Sequence, residues 1–367
     1  MQDSNSSKGS INHSPVGADG SGEQPEVSVI IPAYNTETYI EAAIASALNQ
    51  TCTNLEVVVV DDASTDQTAA LVAQIPDPRV RLIRQSHNQG AAVARNRALA
   101  AARGRWVAVL DSDDWYAPER LEVLLREAIA ADVDMIADDL YYIRDGESEP
   151  WTTLIRRTGE QIDTPRFIDA AEYAASDIPG RPGLHLGFTK PMIKRSLLLT
   201  HQIRYDDEIR LGQDFFFYLK CLTHGARFLL YPHAYYFYRA RLGSLVRKSQ
   251  LDRLEQNCQG LLNQLERQVV RQNPALTAAL QEKLKVCQRN RAYYRVVEPL
   301  KQRRWGAALK AAVRHPYFIV HALSPKNFAA RAAGRRQRAA LNASLAARSP
   351  TSSSSSLPQD VSNPTDP

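Results

Sequence analysis

Cysteine is scarce in this 367-residue chain, and the four present, Cys52, Cys221, Cys258 and Cys287, form no Cys-x-x-Cys pair. That spacing excludes a zinc cluster or a disulfide framework and suits a reducing compartment. Long apolar runs are also missing. None approaches the roughly 18 residues that span a bilayer. The opening MQDSNSSKGSINHSPVGADG has no apolar core, so no secretory signal is expected. No Gly-x-Gly-x-x-Gly follows the first apolar run, and Gly-Lys-Ser/Thr occurs nowhere. A dinucleotide dehydrogenase or a P-loop NTPase is therefore excluded, and any phosphate charge must be met by metal and side chains. No nucleic-acid module is recognisable, so no nucleic-acid partner is expected. Acidic residues vanish from Lys301 to Arg348, where eleven Lys and Arg stand. The net charge of +5 therefore hides a remainder with 34 basic and 40 acidic residues. The basic character sits in one C-terminal stretch.

What is present is ordinary for a globular protein, with 44% hydrophobic and 23% charged residues. Residues 1–25 are Ser/Gly/Asn-rich and expected to be a disordered tail. Val27–Pro32, Leu55–Val60, Val80–Ile83 and Trp106–Leu110 read as strands. Between them lie helical stretches at Ile40–Leu48, Gln67–Gln74 and Gly90–Ala102, with Asn35 or Thr36 expected to cap the first and Gly104 to stop the last. This alternation implies an α/β fold with a mostly parallel sheet, whose ligands bind beyond the carboxyl ends of the strands. Three of the four strand ends carry polar clusters: Tyr34-Asn35, Asp61-Asp62 and Asp111-Ser112-Asp113.

The last cluster is the sharpest. An apolar run stops at Asp111-Ser112-Asp113-Asp114, and packed carboxylates repel and resist desolvation. Asp-x-Asp on extended backbone directs two carboxylates to one side, within reach of a single hard cation that could bridge a diphosphate. A solvated turn, with Asp114 capping the helix that begins near Pro118, fits the tetrad equally well.

The runs VSVIIPAYNTETYIEAAIASALNQT, LEVVVVDDASTDQT and NQGAAVARNRALAAARGRWVAVLDSDDW resemble the nucleotide-sugar domain of family 2 glycosyltransferases, continuously over about residues 26–125. The resemblance implies a GT-A fold, a Rossmann-like nucleotide-sugar-binding domain, with a C-terminal helical region. It implies a UDP-sugar donor and a divalent cation, Mg²⁺ or Mn²⁺. Pro32 and Tyr34 match the positions that pack the base, and Asp62 matches the acceptor for the uracil imide. Asn88, Gly90 and Arg95 fall near the diphosphate. Asp113 matches the metal ligand, with Asp111 facing the ribose or supporting the metal. Tyr34 could also be a core aromatic, Asp61 or Asp62 a helix cap, and Arg95 a structural charge.

After an amphipathic helix (Leu121, Leu124, Leu125, Ile129) and a strand near Asp134–Asp139, residues 144–165 read as an insertion. Gly180–Lys190, with His185, reads as an acceptor opening or a plain surface loop. Leu211-Gly212-Gln213-Asp214-Phe215 resembles the family's Gly-Glu-Asp-x-x-Phe segment, and Asp214 lies 101 positions after Asp113. The resemblance makes Asp214 the base that takes the acceptor proton in an inverting transfer; a helix cap is the alternative. Gln213 stands where Glu is usual and could support an acceptor but cannot take a proton. That departure keeps open a non-catalytic nucleotide-sugar-binding or scaffold protein. A nucleotidyltransferase would need a Gly-rich basic loop after the first strand. Tyr238-Arg239 with Gly243-Ser244 resembles the family's Tyr-Arg…Ser element, which puts Arg239 beside the diphosphate. His233 is a possible third metal ligand or a structural His.

The expected organisation is a nucleotide-sugar half at 26–125, an acceptor half at 126–245, a helical basic region at 246–348 and a disordered tail at 349–367. LHLGFTKPMIKRSLL with LGQDFFFYLKCL resembles bacterial exopolysaccharide-assembly transferases, which implies a saccharide acceptor carried on a lipid. The basic stretch suits peripheral contact with an anionic membrane, from the cytoplasm at its inner face. Gln302-Arg303-Arg304-Trp305 is one residue short of the Gln-x-x-Arg-Trp of processive synthases and reads as coincidence.

Overall fold

A computed structural model describes residues 24–210, 212–240, 250–315 and 318. The expected N-terminal tail before residue 24, Gly243-Ser244, the basic stretch beyond 318 and the C-terminal tail lie outside the described residues. By internal contacts the chain divides into two compact units, residues 1–288 and 289–367.

The first unit is built on one sheet. Its strands are β1 (Val27–Ala33), β2 (Leu55–Asp61), β3 (Val80–Arg84), β4 (Trp106–Val109), β5 (Trp115–Tyr116), β6 (Met135–Arg144), β7 (Thr152–Thr153), β8 (Arg166–Ile168), β9 (Met192–Lys194) and β10 (Phe228–Ala240). They run in the order β3-β2-β1-β4-β9-β6-β10-β5, with β7 on β6 and β8 on β10. β1 pairs in parallel with β2 and β4, and β2 with β3. Val27, Val29 to Ile31, Val57 to Val60 and Val107 to Val109 are buried. Strands covered on both faces need such continuous apolar runs. β9 enters antiparallel between β4 and β6, and β6 pairs in parallel with β10.

The helices are α1 (Ile40–Leu48), α2 (Thr68–Ala73), α3 (Ala91–Ala101), α4 (Arg120–Ala130), α5 (Leu154–Thr158), α6 (Ala170–Ser176), α7 (Arg195–Thr200), α8 (Gln213–Thr223), α9 (Gln250–Glu266), α10 (Gln268–Arg271) and α11 (Pro274–Lys301). α12 (Trp305–Arg314) lies wholly in the second unit. α4 buries Leu121, Leu124, Leu125 and Ala128, while Ile129 is 68% exposed. The apolar period therefore runs one residue wider than the buried face. α8 is buried on nearly every side, from Phe215 to Leu219 and at Cys221 and Leu222, as a helix inside the core must be.

Gly104 does not stop α3, which ends at an extended C-cap on Ala102; it serves packing instead. A Cβ there would stand 2.5 Å from the Ser28 nitrogen. The close approach lets the Gly104 N–H donate to Ser28 Oγ at 2.8 Å, and Ser28 in turn donates to Glu56.

Capping expectations fail at α1, α4 and α8. α1 has Tyr39 at its N-cap and no side-chain cap; Asn35, at φ 51, instead accepts from the Thr65 N–H. Asp114 does not cap α4, because β10 supplies its donors: the Tyr236 hydroxyl at 2.7 Å and the Arg239 N–H at 2.8 Å. Asp214 lies in the first turn of α8 but makes no capping bond, and Gly212 occupies the cap at φ 72.

Candidate active site

Parallel strands that share an edge bring the polar ends of β1, β2 and β4 together. Tyr34 follows β1 and is 46% exposed, so it is not a core aromatic. Pro32, two residues earlier, is half-buried. At the end of β2 the Asp62 carboxylate is buried and organises the next loop. Its Oδ1 accepts from the Gln89 N–H and from Gln85, and its Oδ2 from the Gly90 N–H at 2.7 Å. Gly90 has φ 95, and the Arg210 guanidinium fills the space a Cβ would need. Asn88 donates to the Asp62 carbonyl at 3.3 Å. Asp61 is buried beside Asp62, and its Oδ1 carries no hydrogen bond. Neither aspartate caps α2; the Thr68 N–H is bound by Asp66.

Beyond β4, four charged side chains alternate in a ring. Arg95, from α3, reaches Asp111 at 2.7 Å and Asp214 at 3.6 Å. Lys190, from the loop before β9, reaches Asp111 at 3.0 Å and Asp214 at 2.8 Å. The Lys190 side chain is 5% exposed and that of Arg95 9%. Burial alone would raise the Asp111 pKa, but Lys190 and Arg95 outweigh it and hold the carboxyl well below its ordinary range. Burial would likewise lower the Lys190 pKa, and Asp111 and Asp214 raise it instead. Both ions are thus kept charged out of bulk water. Asp214 Oδ2 accepts from Lys190, whereas its Oδ1 carries no hydrogen bond.

A buried frame holds Lys190. Arg120, fully buried, pairs with Asp138 at 2.7 Å and donates to the Lys190 carbonyl. Its guanidinium lies over the rings of Tyr116 and Tyr236. The Tyr236 hydroxyl accepts from the Asp111 N–H and donates to Asp114. Burial pushes the Asp114 pKa well up, with Asp113 and Asp111 adding to it.

Gln213 turns inward. Its Oε1 accepts from Arg95 at 3.0 Å and its Nε2 donates to the Ile209 carbonyl at 2.7 Å. Both ends of its amide are thus engaged within the protein, one of them on Arg95. Arg239 donates to the Asp113 carbonyl at 2.9 Å and lies over Tyr39 and Trp115. His185 stands 3.9 Å from Asp177 and edge-on to Phe188. His233 is exposed, packs on Tyr231 and lines a cavity with Asp139, Thr153 and Arg156.

Among the described residues no three His, Cys, Asp or Glu group to hold a metal ion. Half-buried Asp113, beside Asp111, still fits a hard cation that takes one or two carboxylates and completes its shell with phosphate oxygens and water. Sequence reasoning missed Lys190, Arg120 and Tyr236 as parts of this site. A lone Lys in a Gly/Pro-rich loop gives no signal of burial.

Residues 28–185 match the family model described as Glycosyl transferase family 2. The chain is 36% identical over 304 residues to the succinoglycan biosynthesis protein ExoO of Rhizobium meliloti (strain 1021), covering 82% of this chain and 85% of that one. The chain belongs to glycosyl transferase family 2. A shorter match within the family is to the Escherichia coli UDP-Glc:alpha-D-GlcNAc-diphosphoundecaprenol beta-1,3-glucosyltransferase WfaP. It is 45% identical over 95 residues, 26% of this chain and 38% of that one. Among solved structures, S. aureus TarS 1-349 in complex with UDP aligns with TM-score 0.56 at 24% identity, covering 84% of this chain and 87% of that one. The Pyrobaculum calidifontis mannosyltransferase PcManGT, in complex with GDP-Man and Mn²⁺, aligns with TM-score 0.51 at 21% identity, covering 86% and 81%. These likenesses give this family 2 glycosyltransferase its GT-A fold.

Proposed function

We propose that the protein is an inverting transferase that moves a sugar from a UDP-sugar to a hydroxyl of a saccharide acceptor carried on a lipid, in bacterial exopolysaccharide or cell-surface polysaccharide assembly. The observation that carries this reading is the Asp214 carboxylate, fixed through Oδ2 by Lys190, with Oδ1 free of hydrogen bonds and 3.6 Å from Arg95, across one ammonium from Asp111. An inverting transfer needs one base on the acceptor side, and Asp214 Oδ1 is an acceptor of the right kind. The acceptor oxygen forms its bond to the anomeric carbon as the bond to UDP breaks, and its proton passes to Asp214. On the donor side, the exposed Tyr34 ring offers a stacking face for the base, with Pro32 beneath it and Asp62 accepting from the imide. Asp111 faces the ribose and Asp113 holds Mg²⁺ or Mn²⁺. When bound, that cation neutralises the charge developing on the leaving diphosphate. Arg239 fixes the Asp113 backbone.

The donor reading draws on TarS, which binds UDP, and the acceptor reading on WfaP, whose name gives a diphosphoundecaprenol-linked substrate. Such an acceptor would bring the enzyme to the inner face of the cell membrane. Arg95 and Gln213 support the base and Asp111, and His185 stands on the acceptor side.

The test is UDP release across donor sugars with lipid-linked acceptor extracts, alongside thermal shift with UDP and Mn²⁺. UDP and Mn²⁺ are expected to stabilise the wild type, and Asp113→Ala to abolish the effect. No thermal shift with any UDP-sugar and metal would overturn the donor reading.

A further inference from the structure

α12 is built inside out. Trp305, Leu309 and Val313 recur every four residues, which sets them on one helical face. They are 68%, 69% and 74% exposed. The alanines take the sheltered positions instead: Ala308 is buried and Ala307, Ala311 and Ala312 are half-buried. A solvated helix directs its large apolar residues inward; this one directs them out. Cations flank the stripe. Arg303, Arg304, Lys310 and Arg314 are all exposed, and no acidic residue stands between Lys301 and Arg348. Among the described residues no helix is long and apolar enough to cross a membrane.

We propose that α12 docks flat on an anionic lipid surface, with Trp305, Leu309 and Val313 entering the headgroup boundary and the flanking Arg and Lys meeting lipid phosphates. Charge chooses this occupant. A second copy would bring only more positive charge, from Arg303, Arg304, Lys310 and Arg314, with no acidic residue of the helix to meet it. Nucleic acid would use the cations and leave the apolar stripe unmatched. A bilayer interface matches both, since Trp favours the headgroup level and basic side chains favour anionic lipid. The inference deepens the membrane-side part of the proposed function and depends on neither donor nor acceptor.

The test uses the full chain and vesicles of phosphatidylcholine, with or without phosphatidylglycerol, in the absence of donor and acceptor. Cosedimentation is expected only with the mixed vesicles, weakening at high salt. The combined Trp305→Ser, Leu309→Ser and Val313→Ser variant should bind on the order of tenfold more weakly. Brominated lipids should quench the wild-type fluorescence and leave Trp305→Phe unquenched while it still binds. The proposal is overturned if the wild type ignores anionic vesicles, or if the triple variant binds as well as the wild type. It is overturned too if Trp305→Phe is quenched equally. A triple variant that loses thermal stability or changes oligomeric state would show the face covered by its own chain or a second copy, which also overturns it. Vesicle binding with no UDP release would leave this inference standing and sink the transfer reading; UDP release without vesicle binding would do the reverse.

Discussion

The Lys190 ammonium lies 2.8 Å from the Asp214 carboxylate, and the same ammonium reaches Asp111 at 3.0 Å. The strand-end acid and the proposed base are thus held by one cation that sequence spacing did not reveal. Lys190→Met leaves two largely buried carboxylates sharing Arg95 alone. Stability should fall by about 3 kcal/mol, the scale for breaking a buried ion pair, read as a lower thermal midpoint. Turnover should fall by roughly 100-fold, because a base displaced by an ångström loses that much. A variant with wild-type melting and turnover would remove Lys190 from the site.

Asp214→Asn keeps the shape of the side chain and removes its basicity. UDP release with acceptor should drop by about 10² to 10⁴-fold, the usual contribution of a general base. Affinity for UDP and Mn²⁺, measured by calorimetry, should stay within a few-fold of wild type. Persistent turnover would mean that another group takes the proton.

The Gln213 amide both accepts from Arg95 and donates to the Ile209 carbonyl. A carboxylate can do only the first. Gln213→Glu, though it restores the usual family residue, would set an oxygen against the Ile209 carbonyl. The expected cost is about 1–3 kcal/mol, as for a buried group left unsatisfied. Chemical denaturation measures it. Unchanged stability would mean that α8 accepts a Glu at this position without strain.

Strands β1, β2 and β4 were legible because parallel strands buried on both faces must read as unbroken apolar runs, as at Val57 to Val60. The strand-end polar clusters followed from parallel topology. Capping was misread at Asn35 and Asp114, because both bond partners remote in sequence that compete with the local turn. Nothing local in the sequence singles out Tyr236. Its place beneath the site depends on register shifts in β10 between Tyr231 and Tyr236, and such shifts decide which face a side chain takes. Lys190 was invisible for a related reason. Its burial is set by two carboxylates and by the Arg120 bond to its carbonyl, none of them local.

Glu56 gives a pH dependence away from the site. Burial alone would raise its pKa, but the Ser28 hydroxyl and Arg103, through its N–H and guanidinium, outweigh it and lower the value. A carboxyl depressed in the folded state adds stability above its unfolded pKa, near 4.3. That stability is lost as the pH falls through the folded value. Glu56→Gln should therefore lower stability at pH 7 and make the unfolding free energy less steep below about pH 4.3. Parallel wild-type and variant curves across that range would count against it.

Arg239 joins two parts of the donor side. Its guanidinium lies 4.9 Å from the Tyr39 ring and 4.7 Å from the Trp115 ring, and its Nε donates to the Asp113 carbonyl. The Trp115 ring in turn stacks on Phe237 at 5.0 Å. The stack and the hydrogen bond together hold the backbone of Asp113, the residue proposed to hold the cation. Arg239→Leu removes the hydrogen bond to Asp113, the ion pair to Asp145 and the cation–π contacts but keeps the Arg239 N–H bond to Asp114. The free protein should lose about 1 kcal/mol. The thermal stabilisation by UDP with Mn²⁺ should shrink much more, since it depends on Asp113. Arg239→Lys keeps the charge without the planar fork and should restore the ligand-dependent shift only in part. A variant whose free stability falls while its UDP–Mn²⁺ shift stays at the wild-type size would make Arg239 a packing residue with no part in donor binding.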